Sequence, residues 1–273
     1  SVNGTKCRIS RVLPSHSHWD HFAGLDFLRK TLGLTVLATD KQAGVIRSRQ
    51  VYQKLYRAPH SFYRQPGPGL PWVIDFLKSH LNRTLFMNLM RIGFVSGPIE
   101  RLENSAVLDT GREKWQVIEL PGHTNDDIAL FSLDRGILLC GDILLRTVNT
   151  WLGPPRSNLK KYLESLETIR KLPGLSLVLP AHGSPVTDPL TRIGQAIDHR
   201  HKRTRQIADL VRASGKSGIT YEQVCRAVYP TTPPFRRHIF EGWICVTLEH
   251  LVEQGIIQVR YSDRQAYFSA PIF

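Results

Sequence analysis

The sequence contains no apolar run approaching the ~20 residues needed to span a bilayer. No membrane-crossing helix is therefore expected. No secretory signal pattern stands at its start as given. Its four cysteines, Cys7, Cys140, Cys225 and Cys245, show no Cys-x-x-Cys spacing. They read as reduced thiols in a cytoplasmic protein. Low-complexity tracts are absent, and 41% hydrophobic content over 273 residues suits one large or two smaller domains with packed cores. Acidic residues are scarce: 23 Asp and Glu stand against 36 Lys and Arg, a formal charge of +13. That balance favours anionic partners such as phosphate esters, nucleic acid, CoA conjugates or carboxylates. It also serves plain solubility.

What is abundant is one dense cluster, Ser15-His16-Ser17-His18-Trp19-Asp20-His21. It reads His-x-His-x-Asp-His, and imidazole nitrogens with a carboxylate are the donors a borderline cation such as zinc prefers. On a helix, His16 and His18 would diverge, because positions two apart do not share a face. In a turn after a strand they can converge. Residues 8–13 read as that strand, and Pro14 blocks further pairing.

Further along, a helix is expected over Phe22–Thr31, a strand at Thr35–Thr39 and helices over Lys41–Arg57 and Pro71–Met90. Pro66-Gly67-Pro68-Gly69 separates the last two. The 40–95 stretch, rich in arginine, is a helical insertion of the kind that forms a lid or an outer layer. Strands follow at 106–108, 115–120, 128–132, 137–140 and 176–179, with a helix over 158–171. Three of them deliver a polar residue at or just beyond the strand end: His123 within Pro121-Gly122-His123-Thr124, Asp142 after Gly141, and His182 before Gly183. Glycine beside such positions permits sharp turns and close approach. Strand ends that each present His or Asp are the pattern of a metal site assembled along one sheet edge.

The ordered set His16-x-His18-x-Asp20-His21, Gly122-His123-Thr124, Gly141-Asp142 and Ala181-His182-Gly183 resembles the metallo-β-lactamase superfamily over roughly residues 8–190. The resemblance implies an α/β fold, the αββα sandwich. It implies that His16, His18 and His123 bind one zinc, that Asp20, His21 and His182 bind a second, and that Asp142 bridges them. Iron or manganese would suit the same donors. A hydroxide between the metals would attack an ester, thioester, lactone or phosphodiester, with Asp20 and Asp142 as the catalytic carboxylates. His21 and Asp142 together resemble the glyoxalase II, lactonase and nuclease branches more than true β-lactamases. Members of the family usually carry about 40–60 residues before the His-x-His motif, near ordinary domain proportions. Here fifteen precede His16, so the sandwich is expected to be truncated at its amino-terminal side.

Beyond it, Ile193–Val211 reads as a helix whose His199–Arg205 run is a solvated basic face. Helices at Thr220–Val228 and Pro234–Gln254 and a hairpin over 256–268 complete a winged-helix order. This resembles the domain appended in the β-lactamase-like protein 2 branch, which includes an endoribonuclease. The expected division is a catalytic domain at 1–198 and a winged-helix domain at 199–273. The leading functional expectation is hydrolysis of a small anionic ester, thioester or lactone. Metal-dependent RNA cleavage is the alternative. A metal-containing DNA-binding regulator is disfavoured, because sensing a ligand does not require an intact seven-ligand set with a bridging Asp. The winged helix is expected to wall the pocket rather than read DNA, since Trp243-Ile244-Cys245-Val246 is apolar where a DNA-reading helix needs polar residues. No membrane partner is expected, and oligomeric state is not readable.

Overall fold

A computed structural model of the protein describes residues 8–55, 84–85, 87–231, 234–262 and 265–271. Two sheets form the centre. In the first, β1 (Arg11–Val12), β2 (Thr35–Ala38) and β3 (Ile99–Arg101) lie parallel in that order. The second runs β4 (Val107–Asp109), β5 (Lys114–Glu119), β6 (Ile128–Ser132), β7 (Ile137–Gly141) and β8 (Leu177–Pro180). Its first four strands are antiparallel in sequence, and β8 joins β7 in parallel. Consequently β5, β7 and β8 point the same way, and their carboxyl ends share one edge.

Period-two alternation sorts the side chains into layers. From β2, Leu37 packs with Leu102, Val117 and Ile128 between the sheets, whereas Val36 and Ala38 turn to the opposite side. There they meet α1 (Trp19–Phe22), α2 (Leu25–Leu32), α3 (Asp40–Ile46) and α4 (Arg49–Leu55) through Phe22, Leu25, Val45, Ile46 and Tyr52. From β6, Ile128 faces the inter-sheet layer, and Ala129 and Phe131 face α5 (Leu159–Arg170) and α6 (Pro189–Ala213). The order is helix, sheet, sheet, helix. Each fully buried side chain of Leu or Phe size contributes about 1.5–3 kcal/mol to that arrangement.

Several expected boundaries move. The strand over 8–13 pairs only at Arg11–Val12. The helix expected from Phe22 starts earlier and breaks at Gly24, so Asp20 and His21 stand on α1 rather than in an open loop. Lys41–Arg57 is likewise two helices, because Ser48 starts a new one: its hydroxyl accepts from Val51 N at 3.3 Å. Most of the Pro71–Met90 helix, the Pro66–Gly69 break, Cys7 and three of the insertion's arginines (Arg57, Arg64, Arg83) lie outside the described residues. Cys140, Cys225 and Cys245 are buried free thiols.

Helix α6 is longer than its periodicity indicated, 25 residues starting with Pro189 at N1 after the Asp188 cap. It crosses the expected 198/199 division. Ile193, Ala196 and Ile197 belong to the core beneath the large sheet, and Ile207, Ala208 and Val211 to a second core. That second core also takes α7 (Tyr221–Val228), α8 (Pro234–Glu253) and an antiparallel sheet of order β10 (Gln258–Ser262), β11 (Gln265–Ser269) and β9 (Ile219–Thr220). Strand β9 was not anticipated. The α7 cap is Thr220 with Gln223 as its reciprocal partner, while Glu222 pairs with Arg226 at 2.7 Å. The reading of His199–Arg205 as a solvated face is corrected at Arg200, which is buried. No described helix is long and apolar enough to cross a membrane.

Candidate metal centre

The turn after β1 carries His16 and His18 out of extended backbone, and α1 follows at once with Asp20 and His21 in its single turn. His123 follows β5, Asp142 follows β7 and His182 follows β8. The shared edge brings all of these side chains together. His16 Nε2 lies 2.8 Å from His18 Nδ1, which lies 3.0 Å from His123 Nε2. Asp20 Oδ2 lies 3.2 Å from His182 Nε2, which lies 3.3 Å from His21 Nε2. Asp142 Oδ2 sits between the two groups, 3.8 Å from His123 Nε2, 3.5 Å from His21 Nε2 and 3.7 Å from His182 Nε2.

These side chains fit the requirements of a bound metal ion. Nitrogens bound to one zinc at 2.0–2.1 Å in tetrahedral geometry stand ~3.3 Å apart, close to the spacing already present. Three overlapping groups of donor atoms meet a common-ion spacing: His16 with His18 and His123, His16 with His21 and Asp142, and Asp20 with His21 and His182. Asp142 Oδ1 is buried without a hydrogen-bond partner among the described residues, a polar atom that a cation would satisfy.

Surrounding groups set the tautomers. Trp151 O accepts from His123 Nδ1 at 2.7 Å, which leaves Nε2 with its lone pair toward the cluster. The Ser15 hydroxyl lies 3.1 Å from His16 Nδ1 and 3.0 Å from His21 Nδ1, holding both rings from behind. Burial, and then the charges of neighbouring imidazoles, hold His16 and His18 well below the usual histidine range. They are neutral donors, as metal binding requires. Burial also lowers His123. For Asp142 burial acts upward, but the hydrogen bond from His21 and the nearby imidazoles prevail and hold the carboxyl low. The site is asymmetric in access: His16 and His123 are buried, whereas the side chains of His182 and Asp20 are 54% and 35% exposed. Among the described residues, the open side of the cluster is that of His182 and Asp20.

Gly122 explains how His123 arrives. Its φ is 151°, and a Cβ there would stand 2.3 Å from the Tyr162 Cα on α5. Neither backbone has room to give. Gly122→Ala is expected to destabilise the fold by about 3 kcal/mol, read as a lowered chemical-denaturation midpoint.

The family model described as the metallo-beta-lactamase superfamily matches residues 2–182. The chain belongs to the metallo-β-lactamase superfamily. The superfamily is metal-dependent, and the chain is a metal-dependent hydrolase. It is similar to the probable metallo-hydrolase YqjP of Bacillus subtilis, 27% identical over 84% of this chain and 70% of that protein. It is also similar to a β-lactamase-like protein 2 homologue of Drosophila melanogaster, 29% identical over 43% of this chain and 38% of that one. An atrochrysone carboxyl ACP thioesterase of Aspergillus fumigatus is 22% identical over 74% of this chain. The chain spans less than half of the length of these last two relatives, 38% and 47%. Among solved structures, a β-lactamase domain protein from Burkholderia ambifaria superposes with a TM-score of 0.76 at 22% identity, covering 96% of this chain and 75% of that one. That likeness is one of fold.

Sequence reasoning missed the supports. Gln42 of α3 donates to Ser15 O at 3.2 Å and Asp126 O at 3.0 Å, tying the turn that bears His16 and His18 to the His123 loop. Arg156 forms a buried ion pair with Asp126 at 2.7 Å and donates to the Ser17 hydroxyl. Asp127 lies beside His16 and is held well above the usual carboxylate range by burial. The adjacent Asp126-Asp127 after the histidine motif was the available signal. Arg156 had none, because its partners lie far away in the chain.

Proposed function

We propose that this chain hydrolyses a small anionic ester, thioester or lactone at a dinuclear centre. His16, His18 and His123 would hold one cation, and Asp20, His21 and His182 the other. Zinc suits these donors best, with iron or manganese as substitutes. The observation that supports the pairing is Asp142 Oδ2, which stands within 3.8 Å of donors from both groups. When bound, the ions supply Lewis acidity and a nucleophilic water at neutral pH. The protein's own groups do the rest. Asp142 would supply negative charge to the ions held by the two groups. Asp20, on the accessible side, is placed to accept a proton from the attacking water and to pass it on. Trp151, 41% exposed and with its ring 6.2 Å from that of His18, presents an apolar wall to the substrate's non-reacting part. The charge of +13 supports an anionic substrate.

We read residues 199–273 as a winged-helix unit packed against the catalytic part, shaping the site rather than reading DNA. RNA cleavage is the second reading, favoured by the same charge and by the resemblance of the carboxyl-terminal order to the β-lactamase-like protein 2 branch.

The test is a panel of anionic thioesters, lactones and esters beside single-stranded RNA, offered to metal-loaded protein. Turnover of a small substrate, abolished by chelator, is expected. Cleavage of RNA that falls steeply with salt would transfer the assignment to the second reading. A metal-loaded protein inert toward every member would end both.

A further inference from the structure

The segment from Ile143 to Gly153, between Asp142 and α5, contains neither helix nor strand. Its carbonyls lack ladder partners, yet its residues are tied to the cluster from both ends. Thr150 Oγ1 lies 2.8 Å from Asp142 O and 3.0 Å from Ile143 O, so one hydroxyl bridges the backbone beneath the Asp142 side chain. The next residue, Trp151, supplies the carbonyl that fixes the His123 tautomer. The position of 150–151 therefore sets two donors at once.

What holds 150–151 is α6. Arg200 Nη2 donates to Thr150 O, and its guanidinium lies over the Tyr162 ring at 5.5 Å. Arg192, eight residues earlier and on the same face, donates from Nε to Leu145 O at 2.7 Å and from Nη2 to Val148 O at 2.8 Å. Helix α8 closes the other side: a Cβ on Gly242 would stand 2.9 Å from Leu152 O and 3.0 Å from the Gly153 Cα. Arg200 is 5% exposed, and its Nε has no hydrogen-bond partner among the described residues. A buried guanidinium left partly unsatisfied is a poor device for stability alone, since an apolar side chain of similar volume is commonly neutral or better. What this one does with specificity is fix a carbonyl next to the residue that orients His123.

We infer that Arg192 and Arg200 are positioning residues of the metal centre, acting from α6 through Thr150 and Trp151 to set Asp142 and His123. The helix that carries the carboxyl-terminal part thereby tunes metal affinity. The inference rests on the reading of Asp142 and His123 as metal donors.

The experiment measures Zn²⁺ affinity of the full chain by competition with a chromophoric chelator, together with the d–d absorption of the Co²⁺-loaded protein. Thr150→Val, which keeps shape and removes the hydroxyl, and Arg200→Met are each expected to weaken Zn²⁺ binding about tenfold, the lower end of what loss of a supporting partner costs. Both should also shift the Co²⁺ spectrum. Thr150→Ser should restore both readouts, and Lys202→Ala on the exposed face of α6 should change neither. A merely structural role predicts lowered melting temperatures with unaltered spectrum and affinity, and that result would overturn the inference. So would an affinity loss in Thr150→Val that serine does not rescue. If Arg200→Met fails to fold, the Thr150 pair decides. Wild-type protein that takes up no Zn²⁺ would instead overturn the donor assignment, and the inference with it.

Discussion

Replacing Asp142 by alanine is expected to remove one of two bound metal equivalents and to lower hydrolysis on the order of 10³-fold, comparable to loss of a strong electrostatic contact at a reacting oxygen. The other donors are five imidazoles and Asp20, and imidazoles bring no charge to offset two divalent cations. Asp142 is the carboxylate whose Oδ2 stands within 3.8 Å of both donor groups and whose side chain is only 13% exposed. Without it, two cations held close together would repel with no carboxylate between their donor groups to offset the charge. Asp142→Asn keeps the shape and removes the charge, so it separates the two contributions. Metal content by elemental analysis, beside turnover of the best panel substrate, checks the outcome. Two equivalents retained with undiminished turnover would sink the dinuclear reading.

The second large effect concerns stability. Arg156→Met is expected to destabilise the metal-free protein by about 3–5 kcal/mol, the usual consequence of leaving one member of a buried ion pair alone. Arg156 and Asp126 side chains are 4% and 0% exposed at 2.7 Å separation. The same guanidinium donates to Ser17 and Asn125, and Asp126 Oδ1 accepts from Thr124 Oγ1 at 2.7 Å. The pair therefore staples the turn bearing His16 and His18 to the loop bearing His123. The double replacement Arg156→Met with Asp126→Leu should recover much of the loss, because no unpaired charge then remains buried. Chemical denaturation of the four proteins gives the coupling energy. A single-mutant cost under about 1 kcal/mol, the range of surface pairs, would contradict this account.

Much of the fold was legible because it is locally encoded. Strand β6 was expected at residues 128–132 and lies there, its alternation serving two layers at once. Helix α5 shows the 3.6-residue spacing of Tyr162, Leu166 and Ile169, all fully buried. Where local signals were weak, boundaries failed. Gly24 and Ser48 break helices that apolar spacing alone would continue. Arg200 was misread because a basic run looks solvated until a carbonyl from 50 residues away comes to meet one of its members.

The proposed donor set divides in the same way. His16, His18, Asp20, His21, His123, Asp142 and His182 were identifiable from residue type and from their place after apolar strands, since metal chemistry restricts which side chains serve and strand ends are short local patterns. Their approach to within hydrogen-bonding distances was not readable, because it depends on β5, β7 and β8 running in one direction beside the turn after β1. Nor were the groups that hold them. Ser15, Gln42, Arg156, Thr150 and Arg200 act through backbone carbonyls, hydroxyls and a buried charge pair, and such partners leave no mark in the sequence; only Asp126, beside Asp127, offered a signal. The sequence by itself determined which atoms are available as donors. The tertiary structure alone decided which are buried, which tautomers they hold and which stand open to solvent, because burial and hydrogen bonding are properties of residues brought together from distant parts of the chain.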